Sequence, residues 1–218
     1  MTTAVKICGL KTADAMETAL AHGADFVGLV FYPPSPRSLS PDAAGKLAEL
    51  ARARARNSAQ IVALVVDADD GLLQSIMTHV RPDLWQMHGS ETASRRAEIK
   101  ARFGVAVMTV FKVATAADAE MALDCAACDR ILFDAKAPKG LVGALPGGNG
   151  LSFDWRMLEG VKGRLDFMLS GGLTAENVAE AIRRTGASAV DVSSGVESTP
   201  GEKDPGLIVK FLAAAKSA

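Results

Sequence analysis

Runs rich in Val, Ile and Leu alternate with segments of helical period along the whole chain, and the alternation repeats eight times. The strand-like runs are 4–8, 25–31, 60–66, 83–87, 105–112, 130–134, 165–169 and 189–193. Between them, helical segments lie near 12–22, 42–55, 70–80, 91–103, 115–124, 154–160, 174–185 and 204–216. Helix starts are marked by Thr12 and Asp14, by Ser40-Pro41-Asp42, and by Asp154. Strict βα alternation implies a parallel sheet with helical crossovers. An open doubly wound sheet is the rival architecture, but eight strands with eight crossovers in 218 residues fit closure better. The expected fold is therefore α/β, a single (β/α)8 TIM barrel domain over residues 1–218 with no linker dividing it. Such barrels place their chemistry at the carboxyl ends of the strands, which directs attention to eight short stretches.

Two of those stretches look alike. Ser170-Gly171-Gly172 follows Phe167-Met168-Leu169, and Ser193-Ser194-Gly195 follows Val190-Asp191-Val192. Glycines let backbone N–H groups approach an anion closely, and serine hydroxyls add donors. The first stretch runs into Thr174-Ala175-Glu176-Asn177, which reads as a helix start whose dipole end favours negative charge. Each could be an ordinary tight turn. The doubled pattern, after strands 7 and 8, instead points to a phosphate site built from Gly171, Gly172, Ser194 and Gly195.

Strand 1 ends in Lys6-Ile7-Cys8-Gly9. Cys8 and Lys6 share strand parity and should both face the barrel axis. A buried cysteine is usually a small hydrophobe. At a strand end with Lys6 and Arg37 as cationic neighbours, however, its thiol should ionise more readily. Strand 6 ends in Ile131-Leu132-Phe133-Asp134, across the barrel mouth from Cys8, so an acid and a base could flank one substrate. Gln86 and His88 share parity at the end of strand 4, and His88 is a further substrate-binding candidate. Arg37 sits on the stiff loop Tyr-Pro-Pro-Ser-Pro-Arg-Ser-Leu-Ser at 32–40, suited to a bidentate grip on a carboxylate. Asp191 shares parity with Ser193 on the strand next to strand 1 once the barrel closes. A Lys6–Asp191 ion pair inside the barrel is therefore expected, since neither charge belongs there alone.

Several readings are set aside. Cys125-Ala-Ala-Cys128 precedes a strand and has no companion Cys or His pair, so no metal or redox role is assigned to it. Gly147-Gly148-Asn149-Gly150 lacks the strand–turn–helix setting of a dinucleotide fingerprint and reads as part of a long loop, 136–152, over the catalytic face. A net charge of −1, from 24 Lys+Arg and 25 Asp+Glu, offers no field for nucleic acid. Three cysteines argue against a disulfide framework. No signal peptide or membrane-length apolar run is visible, so a cytoplasmic setting is expected.

Taken together, these segments resemble the phosphoribosylanthranilate isomerase family of tryptophan biosynthesis. The resemblance rests on V-K-I-C-G-L at 5–10, G-A-D-F-V-G-L-V-F-Y-P-P-S-P-R-S-L-S at 23–40, Q-M-H-G at 86–89 and L-F-D-A-K at 132–136. It continues through G-G-N-G-L-S-F-D-W at 147–155, L-S-G-G-L-T-A-E-N-V at 169–178, V-D-V-S-S-G-V-E-S at 190–198 and P-G-E-K-D at 200–204. It implies Cys8 as general base, Asp134 as general acid, Arg37 on the anthranilate carboxylate and the last two βα loops on the phosphate. Leu151-Ser152 departs from the family's usual pattern and touches only the loop over the site. The implied reaction is an Amadori rearrangement needing neither metal nor organic cofactor. The implied partner is one phosphorylated small molecule, with no nucleic acid or membrane, bound by a monomer or homodimer. Two rivals remain, a related sugar-phosphate isomerase or epimerase and an inactive phosphometabolite-binding barrel. The first would want an aspartate in place of Cys8 or a metal-binding His/Asp set; intact Cys8 and Asp134 count against the second.

Overall fold

A computed structural model describes residues 3–54, 59–137, 145–148 and 150–218. Eight parallel strands close into a barrel in chain order: β1 Ala4–Cys8, β2 Phe26–Phe31, β3 Gln60–Val65, β4 Leu84–Met87, β5 Ala106–Val113, β6 Arg130–Ala135, β7 Met168–Leu169 and β8 Ala189–Val192. β8 pairs back onto β1, with Lys6 opposite Asp191. The helices are α1 Ala13–Ala21, α2 Pro41–Ala53, α3 Asp70–His79, α4 Ala93–Phe103, α5 Ala116–Glu120, α6 Val178–Thr185 and α7 Pro205–Lys216. The end of the expected helix at 42–55, the middle of the long loop and its Asn149 lie outside the described residues.

Strand parity separates two cores. Outward residues such as Ile7, Val27, Leu29, Phe133 and Val190 pack under the helices. Inward residues Phe26, Val62, Leu84, Met108, Leu132, Met168 and Ala189 form an apolar plug at the amino-terminal end of the barrel. One layer higher, Lys6, Gln86, Asp134 and Asp191 are buried, so the interior turns polar just below the mouth. At the opposite end, aspartates entering even-numbered strands tie strand pairs together. Asp25 accepts from Val5 N–H at 2.7 Å, Asp83 from Ile61 N–H at 2.7 Å and Asp129 from Val107 N–H at 2.9 Å. Acidic groups at that end hold the barrel, whereas those at the mouth are available for chemistry.

Four local features differ from the sequence reading. The segment 154–160 forms a 3-10 turn, Trp155–Leu158, rather than an α-helix. Gly160 and Gly163 follow it closely, leaving too few residues to propagate a longer helix. α6 begins at Val178 rather than near 174, because the Asn177 side chain folds the preceding residues into a turn. It accepts from Thr174 N–H at 2.8 Å and donates to the Gly172 carbonyl at 3.0 Å. An unanticipated antiparallel hairpin, β9 Glu197–Thr199 and β10 Glu202–Lys203, follows β8. Finally, the sulfurs of Cys125 and Cys128 meet across the turn before β6, with Cα atoms 6.0 Å apart, while Cys8 is a free buried thiol. A link across four residues is local and no disulfide framework.

Candidate active site

The carboxyl ends of the strands surround a cavity with about 770 Å³ of empty space, open mouth included. Cys8, Arg37, His88, Asp134, Gly171, Gly172, Ser194 and Gly195 all line it. The topology thus brings together residues up to 187 positions apart, by simple difference between Cys8 and Gly195.

At its floor, Lys6 is fully buried and its Nζ lies 2.9 Å from Asp191 Oδ1, the ion pair expected from strand parity. Ser170 Oγ reaches the other Asp191 oxygen at 3.5 Å. Gly28 on β2 makes room for this layer, since a Cβ there would fall 2.9 Å from Cys8 Sγ and 3.2 Å from Lys6 Nζ. Burial opposes the Lys6 charge, but Asp191 and the neighbouring Cys8 more than offset it and raise the Lys6 pKa. The Cys8 thiol runs against expectation. Burial pushes its pKa up, Asp191 adds to that, and the opposing pull of Lys6 and Lys203 does not bring it back to the ordinary thiol value. Desolvation of a thiolate outweighs two cations because both are already engaged by carboxylates.

Across the cavity, Asp134 accepts from Ala135 N–H at 2.9 Å through Oδ1, and its Oδ2 lies 3.2 Å from His88 Nε2. His88 Nδ1 is 3.0 Å from Gln86 Nε2. With the Gln86 amide donating to Nδ1, the ring hydrogen falls on Nε2, which is buried near Asp134 Oδ2 but makes no aligned hydrogen bond to it. Gly147 rests on this pair so closely that a Cβ would overlap His88 Nε2 and come within 2.9 Å of Asp134 Oδ2.

Arg37 is buried, and its guanidinium is already paired. Nε and Nη2 donate to Glu197 Oε1 and Oε2, each at 2.8 Å. Lys203 Nζ donates to Glu197 Oε1 at 2.6 Å and to the Ser193 carbonyl at 2.8 Å. Ser193 Oγ in turn donates to the Cys8 carbonyl at 3.2 Å. Burial alone would raise the Glu197 carboxyl, but the Arg37 hydrogen bonds and the Lys203 charge hold it down to about 2. Burial pushes the Lys203 amine below its usual range against the pull of Glu197. Sequence reasoning missed Glu197 and Lys203, because strands of three and two residues show no periodicity. The available signal was position, since Glu197 comes two residues after the glycine of the second loop.

The two glycine-bearing loops touch. Gly195 packs against the Leu173 carbonyl so tightly that any Cβ would overlap it. Gly171 and Gly172 adopt φ of 93° and 62°, a left-handed path that glycine takes without strain. Among the described residues, the N–H groups of Gly171 and Gly172 make no backbone hydrogen bond. Glycine-rich backbone beside a serine hydroxyl is suited to an anion.

The chain is similar to known proteins over nearly its whole length. Residues 5–214 match the family described as N-(5'phosphoribosyl)anthranilate (PRA) isomerase. The chain is 52% identical over 220 residues to the N-(5'-phosphoribosyl)anthranilate isomerase of Rhizobium meliloti, covering 100% of this chain and 99% of that protein. It is 55% identical over 212 residues to the corresponding protein of Rhodospirillum centenum, covering 97% of each. Among solved structures, the phosphoribosyl anthranilate isomerase of Thermotoga maritima superposes with a TM-score of 0.85 at 33% identity, covering 99% of this chain and 100% of that one. A phosphoribosyl anthranilate isomerase in complex with reduced 1-(o-carboxyphenylamino)-1-deoxyribulose 5-phosphate superposes with a TM-score of 0.82 at 31% identity, covering 99% and 100%.

Proposed function

The chain belongs to the N-(5'-phosphoribosyl)anthranilate isomerase family, and from that premise we propose that Cys8 is its general base and Asp134 its general acid. The enzyme catalyses the Amadori rearrangement of N-(5'-phosphoribosyl)anthranilate to 1-(2-carboxyphenylamino)-1-deoxyribulose 5-phosphate in tryptophan biosynthesis. The observation that carries the assignment is the placement of Cys8 and Asp134 in one cavity with an anion site and Arg37 beside them.

Asp134 donates its proton to the ribose ring oxygen, and the furanose opens to an iminium. Electron withdrawal by the iminium acidifies the C2–H bond, and the Cys8 thiolate takes that proton. The resulting enolamine tautomerises to the ketone. His88 lines the cavity beside Asp134, with Nε2 3.2 Å from Oδ2, and contacts the substrate. Gly171, Gly172, Ser194 and Gly195 hold the phosphate, and Arg37 meets the anthranilate carboxylate. Each proton transfer of this kind supplies about 10²–10⁴-fold, so holding both anionic ends of the substrate supplies much of the remainder. Elements running from Ala4 to Lys216 in one closed barrel support residues 1–218 as one domain. No helix of the described residues is long and apolar enough to cross a membrane, and we place the enzyme in the cytoplasm as a monomer or homodimer.

Purified Cys8→Ala tests the assignment. Substrate fluorescence should no longer decay with this variant, while the reduced product still binds with nearly unchanged affinity. Normal turnover by Cys8→Ala would remove Cys8 from the chemistry.

A further inference from the structure

Arg37 has five N–H donors, and Glu197 uses two of them, Nε–H and one Nη2–H. The side-on edge of the guanidinium is therefore closed to substrate. What remains is the end-on edge, Nη1 with the second Nη2 hydrogen, and Nη1 is turned toward the loop over the cavity, 2.7 Å from where a Cβ of Gly148 would stand.

Glu197 itself is saturated. Oε1 accepts from Arg37 and Lys203, and Oε2 accepts from Arg37 and, at 3.1 Å, from Gly201 N–H. A carboxylate with about four lone-pair sites filled by four donors has one orientation, and so does the guanidinium it holds. Through Lys203 the same carboxylate is joined to the Ser193 backbone, the first residue of the second anion-binding loop. The three side chains sum to one positive charge, by counting two cations and one anion.

We propose that Glu197 is a positioning and specificity residue that sets the end-on edge of Arg37 at a fixed distance from the phosphate loops. The site then selects aminoaldose phosphates whose aromatic ring carries an anionic group at that distance. The inference rests on the reading of Arg37 as the carboxylate-binding residue. It differs from a general ion-pair role because the contact that Glu197 orients, the end-on edge of Arg37, is made to the ring carboxylate and not to the phosphate.

The test measures competitive inhibition by two compounds, the reduced product 1-(2-carboxyphenylamino)-1-deoxyribitol 5-phosphate and the same molecule without its ring carboxylate. Glu197→Gln should weaken the carboxylated inhibitor on the order of 10- to 100-fold, as expected for hydrogen bonds to a charged group. The decarboxylated inhibitor should bind Glu197→Gln and wild type alike. With the natural substrate, the loss should appear in KM and leave kcat nearly unchanged. Glu197→Asp retains the charge but withdraws it by one methylene, and should give the same split where the Gln variant does not fold. Equal weakening of both inhibitors, or of neither, overturns the inference. Arg37→Ala separates the two readings. If it weakens the carboxylated inhibitor and the Glu197 variants do not, Glu197 alone is misassigned; if it weakens neither, the carboxylate role of Arg37 falls first.

Discussion

A general base, the role proposed for Cys8, must lose its own proton before it can take one from substrate, and Cys8 lies where burial disfavours that loss. Lys6 offsets part of the cost, held beside the thiol by Asp191 on the adjacent strand. We therefore expect kcat/KM to climb with pH through and beyond the ordinary thiol value of about 8.5. Lys6→Met should shift that limb further upward. Thiolate absorbance titrated alongside the rate profile checks both, and a midpoint below the ordinary value would contradict the burial argument. The pair also bears on stability. Removing either partner alone strands a buried charge and should cost roughly 3–5 kcal/mol, more than replacing both with apolar side chains. Urea unfolding of the two single variants and the double variant measures this, and additive losses would show that the charges do not interact.

At the scale of elements, two connections complete a site that the barrel strands only frame. The stretch around Gly147 lies on His88 and Asp134, with backbone where a side chain would collide. Gly147→Ala should push this stretch off Asp134, admit water and lower kcat, while Leu151 and Ser152 stay packed beside Gly172. We expect at least a tenfold fall in kcat, about 1.4 kcal/mol of lost transition-state stabilisation, with little change in affinity for inorganic phosphate. Retention of full kcat would show that close approach of this loop is not needed for proton transfer. The hairpin of β9 and β10 acts on the other side, carrying Glu197 and Lys203 under Arg37 and the second anion loop. Neither connection has a hydrophobic period, so packing against the mouth, rather than local propensity, gives each its shape.

For the molecule as a whole, carboxylates with depressed pKa values tie stability to pH. Glu197 and Asp118 are both held at about 2. For Asp118, burial pulls the other way and is outweighed by Lys136 and by the backbone N–H groups of Ala114 and Thr115. Between their ordinary values near 4 and the folded values, the unfolded chain binds more protons than the native one. Their stabilisation is thus complete above the ordinary carboxylate range and is lost as pH falls toward about 2. Urea midpoints taken from pH 6 down to pH 3 should fall more steeply for wild type than for Glu197→Gln or Asp118→Asn. Parallel curves would rule these groups out as the source. The limits of sequence reading have the same origin as this coupling. Periodicity disclosed the alternating elements and hence the barrel, because every strand and helix must bury one face. Strand parity disclosed the Lys6–Asp191 pair, and strand ends disclosed Cys8, His88, Asp134 and the two glycine loops. These follow from the sequence alone because local spacing decides which way a strand residue points. It did not disclose that Arg37 is already committed to Glu197, or that the Cys8 thiol is raised rather than lowered. Those depend on distance and desolvation among residues far apart in the chain, quantities that exist only once the barrel has closed.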